Sequence, residues 1–204
     1  YEEERLPKAR EVLHETDRVT NLLFAPTTVA RLLRDLVVLP LLRADWVQKR
    51  MFSRLAQLHV NYRGCRLSCH EDGAWLTGTH VRAGDRAPDV VFRAGPSGET
   101  ITLFRLLGPM RPVALVGPGV PGRLLDELGR LDIDAYRVLP PGTTSDDPRC
   151  LIDVHGELRR VYGMSGDFLC LVRPDDHVGL FQRPVDVGRL RSYLRKLCSE
   201  RSLA

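Results

Sequence analysis

The hydrophobic and polar positions of residues 112–139 form the most informative pattern in the chain. Residues 113–116 are four consecutive apolar residues between a proline and a glycine, which is typical of a short strand buried on both faces. Residues 117–122 are mostly glycine and proline, and this composition predicts a turn. Leucines then recur at helical spacing over residues 123–131, and residues 133–139 have the pattern of a further strand. The sequence therefore predicts a β-α-β unit with parallel strands.

The first third of the chain has helical spacing that prolines interrupt. Apolar side chains recur every three or four residues over residues 3–23 and again over residues 44–58, as on the buried face of an amphipathic helix. A shorter helix is predicted between Pro26 and Pro40, because proline does not continue a helix. We therefore expect residues 1–60 to form an α-helical segment.

Residues 61–83 contain three glycines and no sustained period, which predicts a linker with at most a short hairpin. Residues 84–89 contain glycine, proline and aspartate and mark a domain boundary. Beyond them, short apolar runs separated by turn residues predict a domain over residues 84–204. Its predicted strands and helices are strands at 90–92, 101–103, 113–116, 133–139, 168–172 and 178–181, a strand or extended piece at 150–154, and helices at 103–107, 123–131, 158–162 and 185–198. Four apolar side chains of the last helix are expected to face inward: Val187, Leu190, Leu194 and Leu197.

The order of these elements, which ends in a hairpin and a helix, resembles the thioredoxin-like fold. That family has a Cys-x-x-Cys pair at the start of the helix after the central strand, where the helix N-terminus lowers a thiol pKa. Residues 117–122 occupy that place here and contain no cysteine. Gly166 and Asp167 stand near the position of the family's cis-proline. The predicted fold class is α/β, with an N-terminal α-helical segment and a thioredoxin-like domain whose central mixed sheet is flanked by helices.

Charge and hydropathy limit the partners. The chain has 30 basic and 26 acidic residues and a net charge of +4, and the basic residues lie among acids rather than in one stripe. A nucleic-acid surface is usually a clustered basic stripe, so no nucleic-acid partner is expected. The longest apolar run, residues 36–42, is far shorter than the roughly 20 residues of a membrane span. We expect a cytoplasmic protein without a membrane partner and, because it begins without methionine in a helical pattern, part of a longer one.

Five cysteines are too few for a disulfide scaffold, and their number is odd. A zinc site would draw on Cys65, Cys69, His70, His59 and His80. A structural zinc site usually has two similarly spaced pairs of ligands, and no second pair follows this one. Reduced thiols in a cytosolic protein are the expectation.

Other residues with chemical potential have simpler interpretations. Cys150 and Cys170 lie in apolar strand contexts, and cysteine often packs as a small buried hydrophobe. The Asp153–His155 pair and the aspartates beside His177 resemble a base with an orienting acid, but no nucleophile lies near them in the sequence. Aspartate is common in turns, so solvated turn residues are expected. The sequence thus predicts no catalytic, no cofactor-binding and no metal-binding residue in this chain.

Four stretches together resemble the C-terminal portion of FAD-dependent aromatic-ring monooxygenases of the para-hydroxybenzoate and phenol hydroxylase-like class. Residues 1–7 resemble the helix that closes the flavin domain of that family, and residues 61–64, Asn-Tyr-Arg-Gly, resemble its linker. Residues 83–89, Ala-Gly-Asp-Arg-Ala-Pro-Asp, are similar to the start of its terminal domain. Residues 171–178 resemble its late hairpin, with Asp176 where the family usually has glycine.

The resemblance implies an enzyme whose catalytic parts lie outside these residues. The full-length enzyme would use FAD and NAD(P)H to hydroxylate an aromatic ring, with the flavin-binding domain upstream or on another chain. The thioredoxin-like domain would have a structural or subunit-contact role, including contact within a homo-oligomer. No cofactor is expected on this chain alone, because the prolines of residues 117–122 lack the N–H groups that bind a pyrophosphate. The alternative is a stand-alone, redox-inactive thioredoxin-like adaptor that binds a protein partner.

Overall fold

The computed structural model describes residues 61–72, 81–108 and 110–201, together with isolated positions between residues 10 and 48. Two compact units divide the chain, Tyr1–Val60 and Asn61–Ala204. The helices predicted over the first unit fall almost entirely outside the described residues. In the part of the chain that is described, no helix has the length and apolarity needed to cross a membrane.

The second unit is a mixed α/β structure built on one eight-stranded sheet. Its strands are β1 (Cys69–Asp72), β2 (Val91–Ala94), β3 (Thr100–Thr102), β4 (Val113–Val116), β5 (Asp134–Leu139), β6 (Cys150–Ile152), β7 (Leu169–Val172) and β8 (Val178–Arg183). Its helices are α1 (Leu103–Leu106), α2 (Gly122–Arg130), α3 (Glu157–Tyr162) and α4 (Val187–Arg201). The strand order across the sheet is β1-β8-β7-β4-β5-β6-β2-β3.

Strand β4 is the centre of the sheet. It pairs in parallel with β5, as the β-α-β prediction requires, and antiparallel with β7. Leu115 lies between Tyr136 of β5 and Cys170 of β7 in this register. Strand β7 pairs antiparallel with β8 in turn. These four strands belong to a mixed sheet that packs with α2 and α4, as the predicted fold class requires.

Both faces of β4 are covered, which explains its uninterrupted apolar sequence. Successive side chains of a strand point to opposite faces, and here Val113 and Leu115 pack with Leu158 of α3 on one side. Ala114 and Val116 pack on the other side with the leucines of α2 and α4. Every residue of β4 is buried. The predicted burial of this strand on both faces is confirmed.

The edge strand β1 lies within the residues predicted to be a linker. Cys69–Asp72 pairs in parallel with β8, with Cys69 opposite Leu180. Its sequence, Cys-His-Glu-Asp, lacks the apolar alternation that identifies a half-buried strand. The strand lies at the edge of the sheet, where charged side chains are common. Residues 69–72 of the predicted linker are thus an edge strand of the sheet in the second unit.

The final helix differs from its prediction at its first turn. Val187, expected to face inward, is 38% exposed because it is the first residue of α4. Leu190 and Leu194 are buried, and Leu197 packs against the same core. The inward-facing stripe therefore begins one turn later than predicted.

Candidate functional site

The turn between β4 and α2 follows the central strand, where the predicted thioredoxin-like fold would place a Cys-x-x-Cys pair. The Gly117 N–H donates to the carbonyl oxygen of Phe168 (2.9 Å), and the Val120 N–H donates to that of Gly117 (3.3 Å). The Gly119 N–H donates to Oδ1 of Asp167 (2.8 Å). The backbone amides of Gly117, Gly119 and Val120 are thus already paired within the protein.

Two glycines of the turn are required by the close approach of residues 166–168. A Cβ on Gly117 would overlap the carbonyl oxygen of Gly166, and a Cβ on Gly119 would overlap the Asp167 carboxylate. From the neighbouring strand β5, Nη2 of Arg137 donates to the carbonyl oxygen of Val120 (2.8 Å). The glycine spacing therefore serves internal packing.

Neither thiol chemistry nor dinucleotide binding fits this turn. The turn itself carries no sulfur, and the strand cysteines Cys150 and Cys170 are buried, as predicted. Burial raises the pKa of the Cys170 thiol far above its ordinary value, so this thiol stays protonated and unreactive. A pyrophosphate needs free N–H groups and no competing anion, whereas Asp167 holds the Gly119 amide. FAD does not fit here.

A second polar site is formed by three stretches that are far apart in the sequence. The Tyr62 N–H donates to the carbonyl oxygen of Gly84 (2.6 Å). The Arg63 guanidinium donates from Nε and Nη2 to the two carboxylate oxygens of Asp85, at 2.6 and 2.8 Å. The Arg82 N–H donates to the same carboxylate (2.9 Å). This bidentate pair fixes residues 62–63 against the loop before β2.

The turn between β7 and β8 joins the same site. Arg173, whose side chain is only 10% exposed, donates from Nε and Nη2 to the Asp175 carboxylate at 3.1 and 2.6 Å. Arg86 pairs with Asp176 (3.4 Å), and the Ala87 N–H donates to the Asp176 carbonyl oxygen (2.7 Å). We call these three ion pairs the arginine–aspartate cluster; its members are Arg63, Asp85, Arg86, Asp176, Arg173 and Asp175.

Asp176 has a left-handed backbone with φ of 64°, which explains why the resembling family favours glycine at this position. Aspartate is among the few other residues that adopt this conformation at modest cost. Its pairing with Arg86 and its backbone contact to Ala87 accompany that conformation. Asp176 therefore occupies a backbone conformation that glycine adopts without strain.

His177 lies inside this site rather than in solvent. Its side chain is 13% exposed, its Nδ1 is 2.7 Å from the Asp175 carbonyl oxygen, and its ring centroid is 4.7 Å from that of Tyr62. Burial opposes the charged imidazole, but hydrogen bonds to Asp175 outweigh it and raise the pKa of His177 above its usual value. Burial likewise opposes the charge of Asp175, yet His177 and Arg173 lower the pKa of that carboxyl to about 2.

The prediction of solvated turn residues is therefore wrong for His177, and it is wrong for Asp153 as well. Asp153 is 5% exposed, and its carboxylate accepts the N–H groups of Glu157 and Leu158 at 2.8 and 3.0 Å. It satisfies the free amides at the start of α3. His155, which follows it by two residues, is exposed as expected. The N-cap residue of α3 is Gly156, which makes no side-chain cap hydrogen bond, so neither the contact of Asp153 with the helix start nor its burial has a local sequence signal.

The residues considered for zinc have other contacts where the structure describes them. Nδ1 of His70 accepts the Ala83 N–H (3.3 Å), and its ring stacks on Phe181 with centroids 5.0 Å apart. Cys65 and Cys69 are half-buried, and neither is part of a disulfide. His59 and His80 lie outside the described residues. The absence of a metal-binding residue stays a prediction.

Solved structures with a similar fold include aromatic hydroxylases. The chain aligns over 87% of its length with BexE, a protein of oxidation during BE-7585A biosynthesis, at 24% identity and a TM-score of 0.54. It aligns over 88% of its length with CabE, an aromatic hydroxylase from angucycline biosynthesis, at 22% identity and a TM-score of 0.52. The chain spans 30% of BexE and 31% of CabE. At these identities the likeness concerns the fold.

Thioredoxin-like proteins are matched as well. The exposed lipoprotein thioredoxin Etrx1 of Streptococcus pneumoniae strain TIGR4 aligns with 53% of this chain and 99% of its own, at 17% identity and a TM-score of 0.37. No protein-family profile and no curated protein matches the sequence.

Proposed function

We propose that this chain is the C-terminal portion of an FAD-dependent aromatic hydroxylase that uses NAD(P)H. The observation that carries the proposal is the convergence of three of the four stretches that resemble this family. Arg63 meets Asp85 across 22 positions of the chain, and Arg86 meets Asp176 across 90. The three stretches resemble one family and also contact one another, as expected if they belong to the same folded domain of that family. Stretches that matched by chance would not be expected to lie in contact.

The fold comparison supports the same proposal. Most of the chain aligns with BexE and CabE, yet it amounts to less than a third of either, which agrees with a terminal portion. The flavin would supply the oxygen chemistry. In this proposal residues outside 1–204 hold the flavin, because the glycine-rich turn at residues 117–122 does not fit a dinucleotide. The thioredoxin-like unit then has a structural or subunit-contact role.

The decisive experiment uses the complete polypeptide encoded by the gene. Its coding sequence is read upstream of Tyr1, and the purified product is assayed for flavin absorbance and for oxidation of NAD(P)H stimulated by phenolic or polyketide-like rings. We expect a yellow protein with ring-dependent oxidation, and residues 1–204 alone as a colourless control. A reading frame that starts near Tyr1, or a complete product without flavin, would contradict the proposal.

The alternative proposal is a stand-alone adaptor that binds a protein partner. The turn that the Gly119–Asp167 hydrogen bond closes favours this alternative. A thioredoxin-like domain without a thiol at this turn would act by binding a protein partner through its surface. The adaptor needs no upstream domain, so the same coding sequence distinguishes the two proposals.

A further inference from the structure

The two edge strands of the sheet differ in how well they are protected against pairing. Strand β1, at one edge, carries the carboxylates of Glu71 and Asp72 among its four residues. Charged side chains on an edge strand discourage pairing with another chain. Strand β3, at the other edge, has the sequence Thr-Ile-Thr and no charged side chain. It therefore lacks the protection that β1 has.

The main-chain groups of β3 point alternately toward β2 and away from it. The Leu103 N–H, immediately after β3, donates to the carbonyl oxygen of Val90 (2.9 Å). Hydrogen-bonded pairs alternate along an antiparallel ladder, so Ile101, two residues earlier and opposite β2 in the same register, also faces β2. The main-chain groups of Thr100 and Thr102 consequently face outward, at the edge of the sheet.

Three of these outward groups have no hydrogen bond within the part of the chain that the structure describes. They are the N–H and the carbonyl of Thr100 and the N–H of Thr102. The carbonyl of Thr102 belongs to the N-cap of α1, where it accepts the first hydrogen bond of the helix. Unpaired donors and acceptors along an edge are a template for a further strand.

We propose that β3 pairs with β3 of a second copy of this chain, antiparallel and about a two-fold axis at Ile101. The sequence is self-complementary in this register, because Thr100 of each copy lies opposite Thr102 of the other. Each Thr102 N–H then donates to the Thr100 carbonyl oxygen across the axis, and threonine pairs on neighbouring strands are favourable. A two-fold axis makes both contacts identical and closes the assembly at two chains.

The side chain of Ile101 adds an apolar contact to this pairing. It is half-buried and packs against the hydrophobic cluster that contains Phe92 of β2. At the axis the two Ile101 side chains lie opposite each other in a pair without hydrogen bonds, where strands approach most closely. Each side chain then covers the exposed part of the other. The proposal specifies the subunit contact of the proposed function but rests on β3 alone, so it can fail while the proposed function stands.

Sedimentation velocity of the 204-residue chain measures this association. An edge of three residues buries less than the roughly 1,600 Å² of a standard interface. We therefore expect a weak equilibrium, in which the average mass rises from one chain toward two as the protein is concentrated through the micromolar range. A chain that stays monomeric over this range overturns the proposal.

The matched variants are Thr102→Pro and Thr102→Val. Proline removes the outward N–H without removing a hydrogen bond to β2 or a side-chain cap of α1, and proline is tolerated at such an edge position. We expect Thr102→Pro to weaken dimerisation about tenfold or more, because two hydrogen bonds are lost per dimer. Thr102→Val keeps the N–H and should dimerise like the wild type. Equal dimerisation of the two variants overturns the proposal.

A cross-linking measurement does not depend on the folding of Thr102→Pro. Ile101→Cys places two thiols across the axis, at the Cα separation of about 4.5 Å of such a pair, which suits a disulfide. Copper phenanthroline is the oxidant: it accepts two electrons, and the two thiols release two protons as the S–S bond forms. Cross-linking is quantified on non-reducing gels relative to the wild type, which has five cysteines of its own.

Glu99→Cys is the control for the cross-link, because Glu99 is exposed and lies two residues before Ile101. In the proposed register the two Glu99 positions lie on opposite sides of the axis, about 13 Å apart along the strands. We expect a covalent dimer from Ile101→Cys and none above the wild type from Glu99→Cys. No cross-link in Ile101→Cys, or equal cross-linking of both variants, overturns the proposal.

Discussion

The two polar sites lie at opposite ends of β7, and their construction differs. Before β7, Asp167 and a glycine–proline turn close one site with main-chain contacts and a single carboxylate. After β7, three arginines and three aspartates from distant stretches form the ion pairs near His177. The first site has its glycines and its carboxylate engaged in internal packing, whereas the second consists of charged and titratable side chains. The comparison teaches that side-chain chemistry has to be sought at the second site.

The largest expected effect is at the first site. Gly117→Ala places a Cβ against the backbone of Gly166 and Asp167, which cannot move without displacing β7. We expect a loss of about 3 kcal/mol in the free energy of unfolding by denaturant titration. Gly122→Ala is the matched control, since its nearest neighbour is the end of Arg137 at 3.8 Å. Equal stabilities of the two variants would show that the turn does not pack as described.

Arg173→Met tests whether the arginine–aspartate cluster depends on its most buried member. The substitution leaves Asp175 beside a buried apolar chain without its bidentate partner. We expect the free energy of unfolding to fall by about 2 kcal/mol, because the substitution removes one partner of a partly buried ion pair. Arg149→Met, at an exposed pair with Asp126, should cost less than about 1 kcal/mol. Urea denaturation of the two variants checks the prediction, and Arg173→Met should have the lower unfolding midpoint.

Asp167→Ala addresses the closed turn directly. The Gly119 amide loses its acceptor, which resembles the loss of a helix cap and should cost about 1 kcal/mol. Asp146→Ala, at an exposed loop position, is the control and should be neutral. Thermal melting of both variants gives the answer, and a neutral Asp167→Ala would mean that water replaces the carboxylate without loss.

The cluster also predicts an acid transition. The pKa of Asp175 is lowered to about 2, so its contribution is present above the unfolded value near 4 and is lost as the pH falls towards 2. Because the side chain is 39% exposed, solvent screening reduces this contribution to about 1 kcal/mol. Stability measured from pH 5 to pH 2 should fall less in Asp175→Asn than in the wild type. If stability falls equally in Asp175→Asn and in the wild type, other carboxylates cause the loss of stability at acid pH.

Asp176→Gly is expected to change stability least, by less than about 0.5 kcal/mol. Glycine relieves the left-handed backbone, and this gain offsets the loss of the exposed pair with Arg86. Asp176→Ala loses the pair and keeps the strain, so it should cost about 1 kcal/mol. Calorimetry on the two variants separates backbone strain from the ion pair, and a costly Asp176→Gly would show that the pair dominates.

The sequence predicts well those helices and strands that have a local pattern of apolar residues. The β4–α2–β5 unit follows from an apolar run, a glycine–proline turn and leucine spacing, because each signal is local. Strand β1 was not predicted, since its polar sequence has no apolar alternation, and its contacts are with distant residues of β8: His70 stacks on Phe181 and Glu71 accepts a hydrogen bond from Gln182. The arginine–aspartate cluster has no local signal either, because its partners are separated by up to 90 positions. Only the resemblance to a family drew attention to the three stretches that form it.

The pairing of β1 with β8 has a consequence for how the chain is made. Cys69 lies opposite Leu180, so 111 residues separate the partners (180 − 69 = 111). At roughly 5–20 residues per second, the ribosome delivers β8 about 5–20 s after β1. Until then β1 has no neighbour, and such distant pairing is slow to form. The first strand of the sheet to be synthesised is therefore expected to be among the last to join it.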